Sequence, residues 1–323
     1  MGTPKKIELA GEYAGLKLLA FTIGLMPWAA AVKTGEWLGV AMTKVVRKRY
    51  QRSIRDIQQA FPNKSPEEVR QIALESWRNI GRIAAETAKA TTLSYEEILS
   101  KLEFRNTEKL FKYDNDGKGG IIHVGHFANW ELFGLGVSKK FKRATFIVRP
   151  MSNPFVDKLL LAMRKSKGAD VISAYKPFFS CFRALKKGAM LGILSDQSVP
   201  SSKLYMDFLG RPAEVAPMTA MLSIKMKVPV FPVRLFRENG KLVAEAEETI
   251  YPPEGEFSKQ MLYDYTEKLK NKYEEWIRKD PSSWLWAHNR WKREKECIKY
   301  MAVQQKELAK EAAARKKENK NAI

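Results

Sequence analysis

Cysteine and histidine are scarce in this chain: two cysteines, Cys181 and Cys297, and three histidines in 323 residues. Two isolated thiols cannot form a disulfide framework, so a reducing compartment is expected. With so few histidines and thiols to draw on, no metal centre is expected. A long apolar run is missing too. Residues 18–32 (LLAFTIGLMPWAAAV) carry no charge, but 15 residues fall short of the ~20 that span a bilayer, and Pro27 interrupts them. No convincing small-residue cleavage site follows, and Lys5, Lys6 and Glu8 make a poor signal-peptide start, so this segment is expected to be retained. Internal repeats are absent. The remaining composition, 45% hydrophobic and 29% charged, excludes collagen-like, mucin-like and wholly disordered chains.

Positive charge is abundant. There are 57 Lys+Arg against 36 Asp+Glu, a net charge of +21, which calls for an anionic partner: nucleic acid, an anionic membrane, an acidic protein or a phosphorylated substrate. From residue 291 onward ten Lys/Arg face five Asp/Glu, so most of the excess lies in the body of the chain. No recognised nucleic-acid motif is present, and the apolar segment beside Arg47, Lys48, Arg49, Arg52 and Arg55 has no use in a soluble nucleic-acid binder. The combination suits a membrane-seated helical anchor or hairpin with an adjoining polybasic stretch on an anionic leaflet. A pair of ordinary buried helices would read the same way.

Ser65 before Pro66-Glu67-Glu68 predicts a capped helix running to about Lys89. Beyond residue 100, GGIIHVGH, TFIVRP, ADVIS, MLGILSDQS, VPVFPVRLF and KLVAEAEETI read as strands, separated by helical runs such as 155–166 and 178–187. This alternation predicts an α/β fold with a central, mostly parallel or mixed sheet flanked by helices, preceded by an N-terminal helical membrane anchor. The expected divisions are an anchor over 1–46, a helical linker region over 47–100, the α/β core over 101–295 and a basic charged tail over 296–323. Residues 306–320, rich in Lys, Glu and Ala, suit either a solvated helix or a fraying end.

The segment 121–134 (IIHVGHFANWELFG) carries the most chemistry, because an apolar strand ends in a histidine and leads into a helix bearing an acid. His126 and Glu131 are five apart, about 140° around a helix, so they can meet only if His126 lies before the first turn. Asn129 or the preceding loop would then cap the helix, leaving Glu131 in its first turn to reach back. A carboxylate on one imidazole nitrogen fixes the tautomer and raises the basicity of the other, which a general base acting on a hydroxyl requires. Strand alternation puts His123 on the opposite face from Ile122 and Val124, which speaks against a shared metal site. A histidine at a strand end is also common as a purely structural feature.

Other segments in order are FIVR ending at Arg149, RPMSNP with Asp157 and Arg164 behind it, and Ser195-Asp196-Gln197-Ser198. FLGRP, VPVFPV and Trp284-Leu285-Trp286-Ala287-His288-Asn289-Arg290-Trp291-Lys292 follow. With the upstream RKRYQRSIRDIQQAFPNKSPEEV, this ordered set, over about residues 15–295, resembles the bacterial lipid A biosynthesis (lauroyl/myristoyl) acyltransferases, within the glycerolipid acyltransferase superfamily marked by H-x4-D/E. The resemblance implies transfer of an acyl chain from acyl carrier protein, or from coenzyme A, to a hydroxyl of a phosphorylated glycolipid. The reaction would take place at the cytosolic face of the bacterial inner membrane and need no cofactor. It implies His126 as base and Glu131 as its orienting acid, with direct attack and no acyl-enzyme. Arg149 and Arg164 suit phosphate or oxyanion binding as well as surface ion pairs. Asp196 and Gln197 end a strand where open α/β sheets place ligands, and are expected to contact substrate. The superfamily's phosphatidic-acid branch carries Glu-Gly-Thr-Arg there and this chain does not, which favours a glycolipid acceptor. The Trp/Arg cluster at 284–292 suits a core aromatic patch or a membrane interface.

Overall fold

The computed structural model describes residues 3–175, 177–198 and 202–321. Four helices come first: α1 (Thr3–Leu25), α2 (Trp28–Val45), α3 (Arg47–Ala60) and α4 (Pro66–Ala90). After the short α5 (Tyr95–Ser100) the chain runs β1 (Leu102–Arg105), α6 (Glu108–Asn115), β2 (Gly120–Val124), α7 (Trp130–Val137), β3 (Ala144–Val148), α8 (Pro154–Ser166) and β4 (Asp170–Ser173). It continues through α9 (Phe178–Lys186), β5 (Met190–Leu194), the hairpin β6 (Tyr205–Phe208) and β7 (Arg211–Glu214), α10 (Met218–Met226), β8 (Val230–Glu238) and β9 (Lys241–Ala246). Two long helices, α11 (Lys259–Lys279) and α12 (Glu294–Asn321), end it. The expected strands are all present, and the start of α4 is capped as predicted: the Ser65 hydroxyl accepts from the Glu68 N–H while the Glu68 carboxylate takes the Ser65 N–H. The basic tail continues as α12, and the side chains beyond residue 313 lie outside the described part.

Seven strands form one mixed sheet in the order β1-β9-β8-β2-β5-β3-β4. The five from β8 to β4 run parallel, and β9 with β1 runs the other way. Strands β2 and β5 sit at the centre with helices on both faces, and every residue of β2 is buried, which is why they read as continuous apolar runs. Parallel pairing brings the carboxyl ends of β2, β5, β3 and β4 to one edge, the position at which open α/β sheets bind ligands.

The N-terminal region departs from the expected anchor. Among the described residues no helix is long and apolar enough to cross a membrane. Instead, α2 lays a stripe of small residues, Ala31, Gly35, Gly39 and Thr43, against α4, and Arg82 of α4 donates to Glu36 of α2. The two backbones touch: a Cβ on Gly81 would lie 2.0 Å from the Gly35 carbonyl oxygen and 2.6 Å from the Gly39 nitrogen. Apolarity in this segment is therefore used partly on a helix partner, which a hydropathy reading does not distinguish from lipid. Gly81→Ala is expected to destabilise the fold by about 1–3 kcal/mol through overpacking, despite a helix-propensity gain of about 1 kcal/mol. A urea unfolding midpoint equal to that of the unsubstituted chain would contradict this packing.

Candidate functional site

Val124 of β2 and Leu194 of β5 are paired in register, and His126 and Asp196 each lie two residues further on. Parallel strands thus deliver both side chains to the same edge. The Asp196 Oδ1 is 2.7 Å from His126 Nδ1, and its Oδ2 accepts from the His126 backbone N–H at 3.0 Å and from Trp284 Nε1 at 2.8 Å. Burial alone would push the fully buried Asp196 carboxyl up, but the charge of His126 and the hydrogen bonds from His126 and Trp284 outweigh it and hold it at about 2. An ionised Asp196 only accepts, so Nδ1 bears the hydrogen and Nε2 carries the lone pair, with no hydrogen-bond partner among the described residues. The imidazole is 18% exposed and packs edge-on against Trp130, with centroids 4.8 Å apart.

Glu131 does not hold the imidazole, contrary to the expectation from the H-x4-E spacing. Asn129 caps α7 as predicted, its Oδ1 accepting from the Leu132 N–H, and this puts Glu131 in the first turn. From there both carboxylate oxygens are taken by the Arg164 fork of α8, at 2.7 Å from Nη2 and 3.1 Å from Nε. Asp196, expected to contact substrate, occupies the place beside His126. The pair Glu131–Arg164 is mostly buried and two-point, so each partner fixes the other. Glu131→Gln and Arg164→Gln are each expected to lower turnover, Arg164→Gln by at least as much because it also removes the remaining guanidinium donors, and the double variant by no more than Arg164→Gln alone. Additive losses in the cycle would mean the two act separately.

The loop carrying His126 is clamped from two sides. Ala128 has a positive φ of 44°, a conformation unfavourable for a side chain with a Cβ. Its N–H donates to the Ser283 carbonyl, and the Leu285 N–H donates to the His126 carbonyl at 3.1 Å. Polar residues of α4 brace both segments: Ser76 donates to the Trp284 carbonyl at 2.7 Å, Asn79 to the Ser283 carbonyl at 3.2 Å, and the buried Glu86 accepts from Asn129 at 2.8 Å. Arg237 of β8 also donates to Glu86. Beneath the edge, the Tyr273 hydroxyl accepts from the Ser195 N–H at 3.0 Å, steadying the residue before Asp196.

A family model described as bacterial lipid A biosynthesis acyltransferase matches residues 5–293. The chain belongs to that family. It is also similar to a phosphatidylinositol mannoside acyltransferase of Mycolicibacterium smegmatis (strain ATCC 700084 / mc(2)155), 18% identical over 181 residues. That match covers 55% of this chain and 59% of the relative, so the chain spans about three fifths of the length of the curated relative it matches.

In this lipid A acyltransferase family member the remaining expected site residues are dispersed along the same edge. Arg149 follows β3, is exposed, and has no ion-pair partner among the described residues. Gln197 is half-buried beside Asp196, and Ser198 next to it donates to the buried Glu214 at 3.0 Å, which also receives Arg293 at 2.7 Å. The Trp/Arg cluster is core rather than membrane interface: Trp284, Trp286 and Trp291 are buried, and Arg290, also buried, lies 4.5 Å above the Phe208 ring. Its functional member is Trp284, through Asp196, and no spacing in the sequence marks that contact.

His123 is fully buried and serves the core. Its Nε2 is 3.0 Å from the Leu269 carbonyl and its Nδ1 3.2 Å from the Tyr273 hydroxyl, and burial pushes it down to about 4. The unfolded chain, with an ordinary imidazole near 6.5, therefore binds the proton first as pH falls. Stability is full above pH 6.5 and declines down to about 4, by about 2 kcal/mol between pH 7.5 and 5 from this group alone. Asp196, whose pKa is depressed, adds a further loss below about pH 3.8. Urea midpoints across this range check the slope; burial pushes His288 down to about 4 as well, so His123→Gln is expected to remove about half of the slope between pH 7.5 and 5 and leave the part that His288 supplies.

Proposed function

We propose that this chain is a membrane-bound acyltransferase that moves a fatty acyl chain from an acyl thioester, with acyl carrier protein as the expected donor, to a hydroxyl of a lipid A precursor. The observation that carries the reading is the His126–Asp196 pair at the carboxyl edge of the parallel strands, with one imidazole nitrogen committed and the other without a partner among the described residues. His126 Nε2 takes the acceptor hydroxyl's proton as its oxygen attacks the thioester carbonyl carbon. As the tetrahedral intermediate collapses the C–S bond breaks, and the imidazolium returns the proton to the leaving sulfur. Asp196 stabilises the imidazolium without itself being protonated. Both free cysteines are buried, which agrees with direct transfer rather than a thioester on the enzyme. Arg164, with Nε and one Nη2 hydrogen on Glu131, keeps further N–H donors for an oxyanion or a phosphate, and the exposed Arg149 offers a second cation at this edge.

The net charge of +21 favours an acidic carrier protein, a phosphorylated acceptor and the anionic cytosolic face of a bacterial inner membrane. A second acceptor class, another glycolipid such as a phosphatidylinositol mannoside, is favoured by the name of the mycobacterial relative. A mass-spectrometric assay tests both. Protein in detergent is given acyl carrier protein and coenzyme A thioesters with either a tetra-acylated lipid A precursor or a phosphatidylinositol mannoside, beside His126→Ala. A new acyl ester formed on one acceptor, absent with His126→Ala, names donor and acceptor. No product on either acceptor would mean that the site acts on another lipid or binds lipid without transforming it.

A further inference from the structure

The strand edge that holds His126 and Asp196 also carries the large apolar side chains that the fold leaves uncovered there. Tyr175, just beyond β4, is 71% exposed, and Phe179 in the first turn of α9 is 73% exposed. Met151 and Phe155, between β3 and the first turn of α8, are 50% and 41% exposed. Cations share their helix faces: Lys158 follows Phe155 by three positions on α8, Arg183 follows Phe179 by four on α9, and both are exposed. Helix α1 joins this edge. Asn153, which caps α8, also donates to the Leu9 carbonyl at 2.9 Å and to Glu12 at 3.1 Å, and the Tyr13 ring lies 5.7 Å from that of Phe155. From there α1 continues with exposed Leu16, Leu18, Leu19, Phe21 and Leu25.

Aromatic rings backed by Lys or Arg on the same face suit the headgroup region of a bilayer, where the ring enters the acyl boundary and the cation stays with phosphate. We propose that Tyr175 and Phe179, at the β4–α9 turn, form a second membrane contact that seats in the headgroups of an anionic bilayer together with α1. The inference rests on the lipid-acceptor reading above and adds where the protein meets the lipid: at the catalytic edge, through a segment some 150 residues after α1 in the chain. Contact through α1 and the β4–α9 turn brings the carboxyl edge of the strands, with the His126 loop on it, against the surface, so that an acceptor hydroxyl reaches the imidazole without leaving the bilayer.

The test uses the full chain. Phe179→Cys is labelled with an environment-sensitive fluorophore, which the buried Cys181 and Cys297 do not take up. Vesicles of phosphatidylglycerol and phosphatidylethanolamine are expected to shift its emission to the blue, and phosphatidylcholine vesicles to do so far less. The double variant Tyr175→Ser/Phe179→Ser, two exposed positions whose replacement leaves the core intact, is expected to partition onto the anionic vesicles about tenfold less strongly. It should keep its transfer rate on a detergent-dispersed acceptor. Protein that pellets with the vesicles while the label stays unchanged would overturn the proposal, since contact would then lie elsewhere. A blue shift with acyl carrier protein alone, and none with vesicles, would also overturn it by making this a protein-docking surface. Absence of any acyl product on either acceptor with the blue shift intact would count against the acceptor reading and leave the contact standing.

Discussion

Asp196→Asn is expected to lower kcat by about 10³–10⁴ with the fold retained. The carboxylate accepts three hydrogen bonds, from His126 Nδ1, the His126 backbone N–H and Trp284 Nε1. An asparagine has only one oxygen for them. If its oxygen stays with the backbone N–H and the indole, its NH2 turns toward Nδ1 and demands an acceptor there, which moves the ring proton to Nε2. The imidazole then presents an N–H where the reaction needs a lone pair. The effect should fall on kcat with little change in KM, because Asp196 is fully buried and both of its oxygens are taken by His126 and Trp284. Steady-state kinetics on the transfer assay provide the check. A loss smaller than tenfold would show that the imidazole is oriented by something other than Asp196.

Removing the imidazole itself is the second large effect. His126→Ala should lower turnover by about 10²–10⁴, the scale of a general base acting on a hydroxyl. Folding should survive, since the side chain is partly exposed and the loop is clamped through backbone groups: the His126 carbonyl accepts from Leu285, and its N–H donates to Asp196. Near-normal thermal unfolding with turnover retained would remove His126 from the chemistry. What activity remains in the variant measures what substrate positioning alone contributes.

Much of the sheet was legible because central parallel strands are apolar on both faces, and runs such as MLGIL and GIIHV declare themselves. β1 and the β6–β7 hairpin were not, being four residues each, part exposed and interrupted by charge or proline. His126 was legible from its place at a strand end. Its partner was not, because the spacing within one motif drew attention to Glu131, five residues away, while the contact that forms spans 70 residues. The signal was present in another shape: two apolar strands each followed, two residues on, by a group able to share a proton, a pattern that becomes geometry once β2 and β5 are neighbours in register. Glu131 found Arg164, 33 residues later, across a tertiary side-chain contact that no local pattern encodes. The N-terminal segment shows the converse limit. Hydropathy registers that a surface is apolar, and the Gly35–Gly39 stripe of α2 had its partner on α4.

The clamp over the His126 loop has a consequence for the life of the molecule on the ribosome. Trp284, Ser283 and Leu285 come to that loop from far along the chain, after every strand of the sheet has been made. A nascent chain that has completed β9 contains every strand of the sheet and yet lacks the indole that secures Asp196 and the backbone groups that hold Ala128 in its unfavourable conformation. At about 5–20 residues per second, the stretch between β9 and Trp284 takes seconds to emerge. During that interval the strands can pair while the His126 loop is still unsecured, so the scaffold can form before the site it carries.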